Sequence, residues 1–138
     1  MNSSGYSGTP LAKKLGVKDG AKVRIVNQPD YYFDLFENWP KHVQISNEKK
    51  SKKDFIHYFS KKYKELEKDI DSLKNEIVPN GMIWISWPKK ASKIETDITE
   101  DTIRYLALSN GLVDVKVCAV DEVWSGLKLV IPVKDRKN

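Results

Sequence analysis

Apolar positions along the chain alternate between two spacings, and their order predicts an α/β domain. Lys22-Val23-Arg24-Ile25-Val26-Asn27 has strand character and is followed by the turn Gln28-Pro29-Asp30. A short aromatic helix through Tyr32, Leu35 and Phe36 comes next, then a brief strand, His42-Val43-Gln44-Ile45. Asp54 to Phe59 reads as a strand, and Ser60 as the cap of a helix on which Leu66, Ile70, Leu73 and Ile77 form one apolar stripe. Pro79-Asn80-Gly81 is expected to break that helix and launch Met82-Ile83-Trp84-Ile85-Ser86-Trp87, a run apolar enough to be buried on both faces. Strand, helix and strand in this order make a parallel crossover.

The remaining elements follow the same logic. Thr9 caps, Pro10 opens and Gly16 ends a short first helix. A later helix starts at Thr99-Glu100-Asp101, where a hydroxyl cap and two acids suit the positive end of the dipole, and closes at Asn110-Gly111. Val113, Val115 and Val117 alternate with Asp114, Lys116 and Cys118, as expected of a strand with one wet face. Glu122 to Gly126 then turns the chain into Leu127-Lys128-Leu129-Val130-Ile131, an antiparallel partner. The fold class expected is a single three-layer, Rossmann-like α/β domain spanning residues 1–138, mostly parallel, with a C-terminal antiparallel hairpin. Residues 1–8 are read as a tail and the lysine-rich stretch 46–53 as an exposed, mobile loop.

Bulk properties narrow the classes. With 138 residues, 40% hydrophobic and 31% charged, the chain suits one soluble domain with a substantial core. No apolar run approaches the ~20 residues that span a bilayer, and the N-terminus has no signal-like core, so a cytoplasmic location and no membrane partner are expected. One cysteine, Cys118, excludes an internal disulfide, and only two histidines, His42 and His57, disfavour a metal site. Cys118 and His57 lie within strands, where a buried thiol and a hydrogen-bonded imidazole account for them better than a nucleophile and its base. The net charge of +5 comes mostly from lysine, with arginine only at 24, 104 and 136, so nucleic-acid binding is possible but not favoured.

Candidate chemistry gathers at one predicted edge. If all strands but the last are parallel, Asn27, Ser60, Lys89, Lys90, Asp121 and Glu122 all follow strand carboxyl ends, the side on which open α/β sheets bind ligands. Lys89 and Lys90 with Ser92, Asp121, Glu122, Trp124 and Ser125 are expected to hold a small anionic ligand or an acidic segment of a protein partner. Trp84 and Trp87 should point to opposite faces, Trp84 into the core and Trp87 flanking the crevice. Gly5-Tyr6-Ser7-Gly8 ahead of the first helix reads as a tied-down tail rather than an anion-binding turn. No spacing matches a catalytic or cofactor motif, so no cofactor is expected.

Two resemblances add to this. The element order resembles the latter part of the class I methyltransferase fold, in which a reversed last strand inserts beside the others; this implies a transferase-type enzyme with a degenerate nucleotide crevice as the alternative function. Those enzymes carry a glycine-rich turn after the first strand, and here that place reads Val26-Asn27-Gln28-Pro29-Asp30-Tyr31, which argues against their cofactor. Three blocks, Gly5 to Leu11 with Lys14-Leu15-Gly16, Ser86 to Ser92, and Asp114 through Asp121 to Lys128, resemble the bacterial domain-of-unknown-function family 3052. That resemblance implies a stand-alone bacterial protein and brings no activity.

Overall fold

The structure is a computed structural model in which residues 9–137 are described. The tail expected at 1–8, with its glycines and Tyr6, lies outside the described residues. Six strands form one sheet: β1 (Lys22–Val26), β2 (Gln44–Ile45), β3 (Lys53–Phe59), β4 (Ile77–Pro88), β5 (Val113–Ala119) and β6 (Trp124–Val130), ordered β2-β1-β3-β4-β6-β5. β2, β1, β3 and β4 are mutually parallel, and β6 runs antiparallel to both β4 and β5. Among the described residues three α-helices accompany them: α1 (Leu11–Leu15), α2 (Tyr63–Asn75) and α3 (Glu100–Ser109).

The two-residue period of the strands builds a core on each side of the sheet, which makes three layers. Along β3 and β4, Ile56, Tyr58, Ile83, Ile85 and Trp87 pack with Leu66, Ile70 and Leu73 of α2 and Ile103 and Leu106 of α3. The alternate residues Phe55, Phe59 and Trp84 pack with Leu15 of α1, and with Tyr32 and Phe36 of a short 3-10 segment, on the other side. Each such apolar side chain contributes on the order of 2 kcal/mol when taken out of water. Trp84 also donates its indole N–H to the Leu15 carbonyl at 2.7 Å, which fixes α1 to the sheet.

Local signals account for most boundaries. Thr99 caps α3 by accepting from the Thr102 N–H, and the Thr102 hydroxyl accepts in return from the Thr99 N–H. Gly16 ends α1 at φ 88°, a left-handed conformation that favours glycine. Five expectations are corrected. Lys62, not Ser60, is the N-cap of α2, and it makes no side-chain cap hydrogen bond. Pro10, not Thr9, is the N-cap of α1, and it brings no side-chain cap. Lys53 is not part of an exposed loop: it opens β3 fully buried, its ammonium held by the Glu76 carboxylate at 3.1 Å and by the Glu48 carbonyl. Ile77 does not close the α2 stripe but starts β4, whose pairing jumps from Lys53↔Ile77 to Phe55↔Met82 and so absorbs Val78 to Gly81 as an irregularity. The valine alternation of β5 also fails to mark a core face, because β5 is the sheet's edge and leaves Val115 53% and Val117 51% exposed.

Candidate functional site

The parallel register brings the ends of β1, β3, β4 and β5 and the start of β6 to one rim. Asn27 leaves β1 at φ 59°, the left-handed conformation that asparagine tolerates better than most residues with a Cβ. Its amide donates to the Phe59 carbonyl at 3.2 Å, so the turn after β1 is fastened to the end of β3. Asparagine thus supplies a left-handed backbone turn here without glycine.

Between these two ends lies a cleft of about 510 Å³ lined by Asn27, Gln28, Pro29, Phe59 to Lys62, Glu65 and Trp124. Its volume falls in the range of small-molecule sites. Trp124 is 7% exposed and meets Phe59 edge to face, with ring centroids 5.0 Å apart. The Ser60 hydroxyl donates to Glu65 at 2.7 Å and accepts from the Lys62 N–H at 3.2 Å, which orients the first turn of α2 toward the cleft. Lys61 and Lys62 are exposed at the mouth. The polar set therefore combines two ammonium groups, the second N–H of the Asn27 amide and the Ser60–Glu65 pair beside an aromatic wall.

The remaining expected residues are placed as follows. Asp121 is buried and closes the β5–β6 hairpin, accepting from the N–H groups of Val123 at 2.8 Å and Trp124 at 2.7 Å. Its carboxylate also takes the Tyr31 hydroxyl; burial first, then Asp121, pushes that phenol up to about 12, while the Trp124 indole N–H opposes the shift. Tyr31 thereby ties the β1–β2 connection to the hairpin. Lys89 is half-buried, and its backbone N–H donates to the Val123 carbonyl at 2.7 Å. Lys90 and Glu122 are exposed. The Ser92 hydroxyl is committed to its own turn, donating to the Lys89 carbonyl at 2.6 Å and accepting from the Ile94 N–H at 3.2 Å.

Sheet alternation separates Trp124 from two residues expected beside it. Ser125 pairs with Trp87, and both point away from the Trp124 side. Trp87, 9% exposed, packs in the α2–α3 core instead of flanking the crevice. Of the residues named from sequence, the cleft contains Asn27, Ser60 and Trp124; Lys89 and Lys90 share the rim but do not line it. Lys61 and Lys62 were the signal missed, although they follow β3 as Lys89 and Lys90 follow β4.

Behind the wall, His57 is fully buried between two hydroxyls, Tyr32 at 3.0 Å from Nδ1 and Ser86 at 2.8 Å from Nε2, and stacks on Phe59 at 4.3 Å. Burial lowers its pKa to about 3 and raises that of the Tyr32 phenol. A neutral imidazole donates to one hydroxyl and accepts from the other, so this trio is a satisfied core network. Cys118 is partly buried, and desolvation raises its pKa against the lowering influence of Lys14, Lys116 and Lys89. Among the described residues no group of three or more His, Cys, Asp or Glu side chains is arranged to hold a metal ion.

No family model and no curated protein matches the chain. Solved structures do share its fold. A SAM-dependent methyltransferase from Aquifex aeolicus superposes with TM-score 0.65 at 17% identity, over 88% of each chain. A protein described as a type 11 methyltransferase, from Sulfolobus solfataricus, gives TM-score 0.65 at 14% identity over 93% of each chain. Magnesium protoporphyrin IX methyltransferase from Synechocystis, solved with bound SAM, gives 0.57 at 9% identity, covering 88% of this chain and 74% of that one. At these identities the likeness is one of fold: a small methyltransferase-like Rossmann domain. No helix among the described residues is long and apolar enough to cross a membrane.

Proposed function

We propose that the chain is a transferase-type domain that takes an adenosyl ligand of the S-adenosylmethionine class in the cleft between the ends of β1 and β3. The observation that carries this is topological. The chain leaves β1 toward β2 on one side and, after returning at β3, continues to β4 on the other, so the cleft sits where the strand order reverses. Open α/β sheets bind their ligands at that crevice, because neighbouring connections diverge there and leave a gap. One structural neighbour, the Synechocystis enzyme, holds bound SAM, which supports the choice of ligand.

The residues present suit the group. Lys61 and Lys62 are placed for the ligand's carboxylate, the Ser60 and Glu65 pair for sugar hydroxyls, and Phe59 and Trp124 for apolar contact. Asn27 and Gln28 supply the turn that the ligand lies against. When bound, such a ligand offers an electrophilic methyl group; the chain's own contribution is to bind, orient and shield it from water. This reading moves the site from Lys89 and Lys90 to the neighbouring pair of strand ends, while the expectation of an anionic group held by paired lysines carries over.

Titration calorimetry with S-adenosylhomocysteine tests it. The native chain is expected to bind with a measurable heat, and Lys61→Glu/Lys62→Glu to weaken binding by roughly tenfold or more, about 1.4 kcal/mol. No heat at millimolar ligand, or equal affinity in the double variant, would overturn the proposal.

A further inference from the structure

A second feature lies on the α1 face of the β5–β6 hairpin, away from the rim cleft. Lys116 on β5 stands directly opposite Lys128 on β6, and Lys128 stands opposite Trp84 on β4. Like charges placed directly across two strands destabilise a sheet. Lys18, in the turn after α1, reaches the same patch. Lys128 is partly buried, and burial, then Lys116 and Lys18, lower its pKa, so the three ammonium groups sit in one another's field.

None of the three lysines forms an ion pair among the described residues. Residues 1–8 contain no acidic side chain. Asp19 and Asp54, which line a groove with Lys18, accept from the backbone N–H groups of Lys41 and Lys22. The positive field continues along β5, where Lys14, Lys89 and Lys116 all act on Cys118.

We propose that Lys18, Lys116 and Lys128 form a site for a multiply charged phosphate group, independent of the rim cleft. A carboxylate neutralises one ammonium, whereas a phosphate carrying about two charges relieves the repulsion among three. Ammonium groups suit phosphate as point charges, and flexible stems let them converge on its oxygens. The opposed lysines are then a cost in the free chain that the ligand recovers.

Thermal unfolding at matched ionic strength tests the site, with inorganic pyrophosphate as one probe and a single-stranded oligonucleotide lacking a terminal phosphate as the other. At a hundredfold excess over Kd, the native chain is expected to gain about 8 °C in Tm. Lys128→Met and Lys116→Gln should each lose most of that gain, while Lys61→Glu/Lys62→Glu keeps it, which separates this site from the rim cleft. Lys128→Met alone, without ligand, should melt no lower than the native chain, because it removes repulsion. A gain with pyrophosphate, with or without one from the oligonucleotide, supports the site, whereas a gain with the oligonucleotide only, whose phosphodiesters carry one charge each, would overturn it. No gain beyond chloride with either probe, or equal gains in native and lysine variants, would overturn it.

Discussion

Glu76→Ala is expected to lower the unfolding free energy by about 3–5 kcal/mol, the cost of removing one partner from a buried ion network. Glu76 is itself buried at the end of α2 and accepts from the Arg24 guanidinium at 2.8 and 2.7 Å, from Lys53 at 3.1 Å and weakly from Ser72 at 3.4 Å. Its backbone carbonyl also takes the Lys53 N–H at 2.7 Å. Without the carboxylate, a fully buried ammonium keeps only the Glu48 carbonyl, and Arg24, whose Nε already has no partner, loses its counter-charge. Desolvation of those cations is then uncompensated. Replacing both members of the buried pair, Lys53→Met with Glu76→Leu, should recover only the part of the loss that comes from the orphaned Lys53 ammonium, because Arg24 still lacks its counter-charge. Urea denaturation measures both. A loss below about 1 kcal/mol for Glu76→Ala would show that the network is open to water.

Acid is the second large lever. His57 stays neutral in the fold down to about pH 3, whereas its ordinary value is 6.5. A group whose folded pKa is depressed in this way binds its proton first in the unfolded chain, so stability from this source is complete above the ordinary value and drains away as pH falls toward 3. Linkage gives a loss of about 2 kcal/mol between pH 7.5 and pH 5, and about 4 kcal/mol by pH 3. The structural cause is burial of the imidazole between Tyr32, Ser86 and the Phe59 ring, which penalises its charged form. In His57→Gln the stability at pH 7.5 should fall, since two buried hydroxyls lose a partner, but this part of the acid dependence should vanish. Urea midpoints at pH 7.5 and 5 for both proteins check it. An unchanged pH dependence in the variant would assign the acid sensitivity to other groups.

The elements that sequence patterning located are those whose environment is decided locally. The run Ile83 to Trp87 was legible because a strand buried on both faces admits almost no polar residue, and Ser86 is tolerated there because His57 satisfies it. The α2 stripe and the Thr99 cap were legible because helix periodicity and capping are set within a few residues. Lys53 was not, since its burial depends on Glu76, 23 residues further on, and its neighbours Lys49, Lys50 and Lys52 are ordinary exposed lysines. The exposure of Val115 and Val117 was hidden for a similar reason: alternation specifies two faces but not whether a strand ends the sheet.

The site shows the same division. That Asn27, Ser60, Lys89, Asp121 and Trp124 share a rim followed from strand direction alone. Which of them surround one cavity depends on the order of strands in space and on the face each side chain takes, and both are long-range properties. Hence Trp87 and Ser125 fall on the far side of the sheet from Trp124, and Asp121 and Ser92 are committed to their own turns. The left-handed turn at Asn27 had no sequence signal beyond the residue type.

The central claim is that ligand enters where the chain reverses between β1 and β3. Amide and indole chemical-shift mapping during titration with S-adenosylhomocysteine tests it most directly. The largest changes are expected at Asn27, Gln28, Ser60 to Lys62 and the Trp124 indole, with little at Lys89 to Ser92. Changes centred on Lys89 and Lys90 with a silent β1–β3 cleft would contradict it.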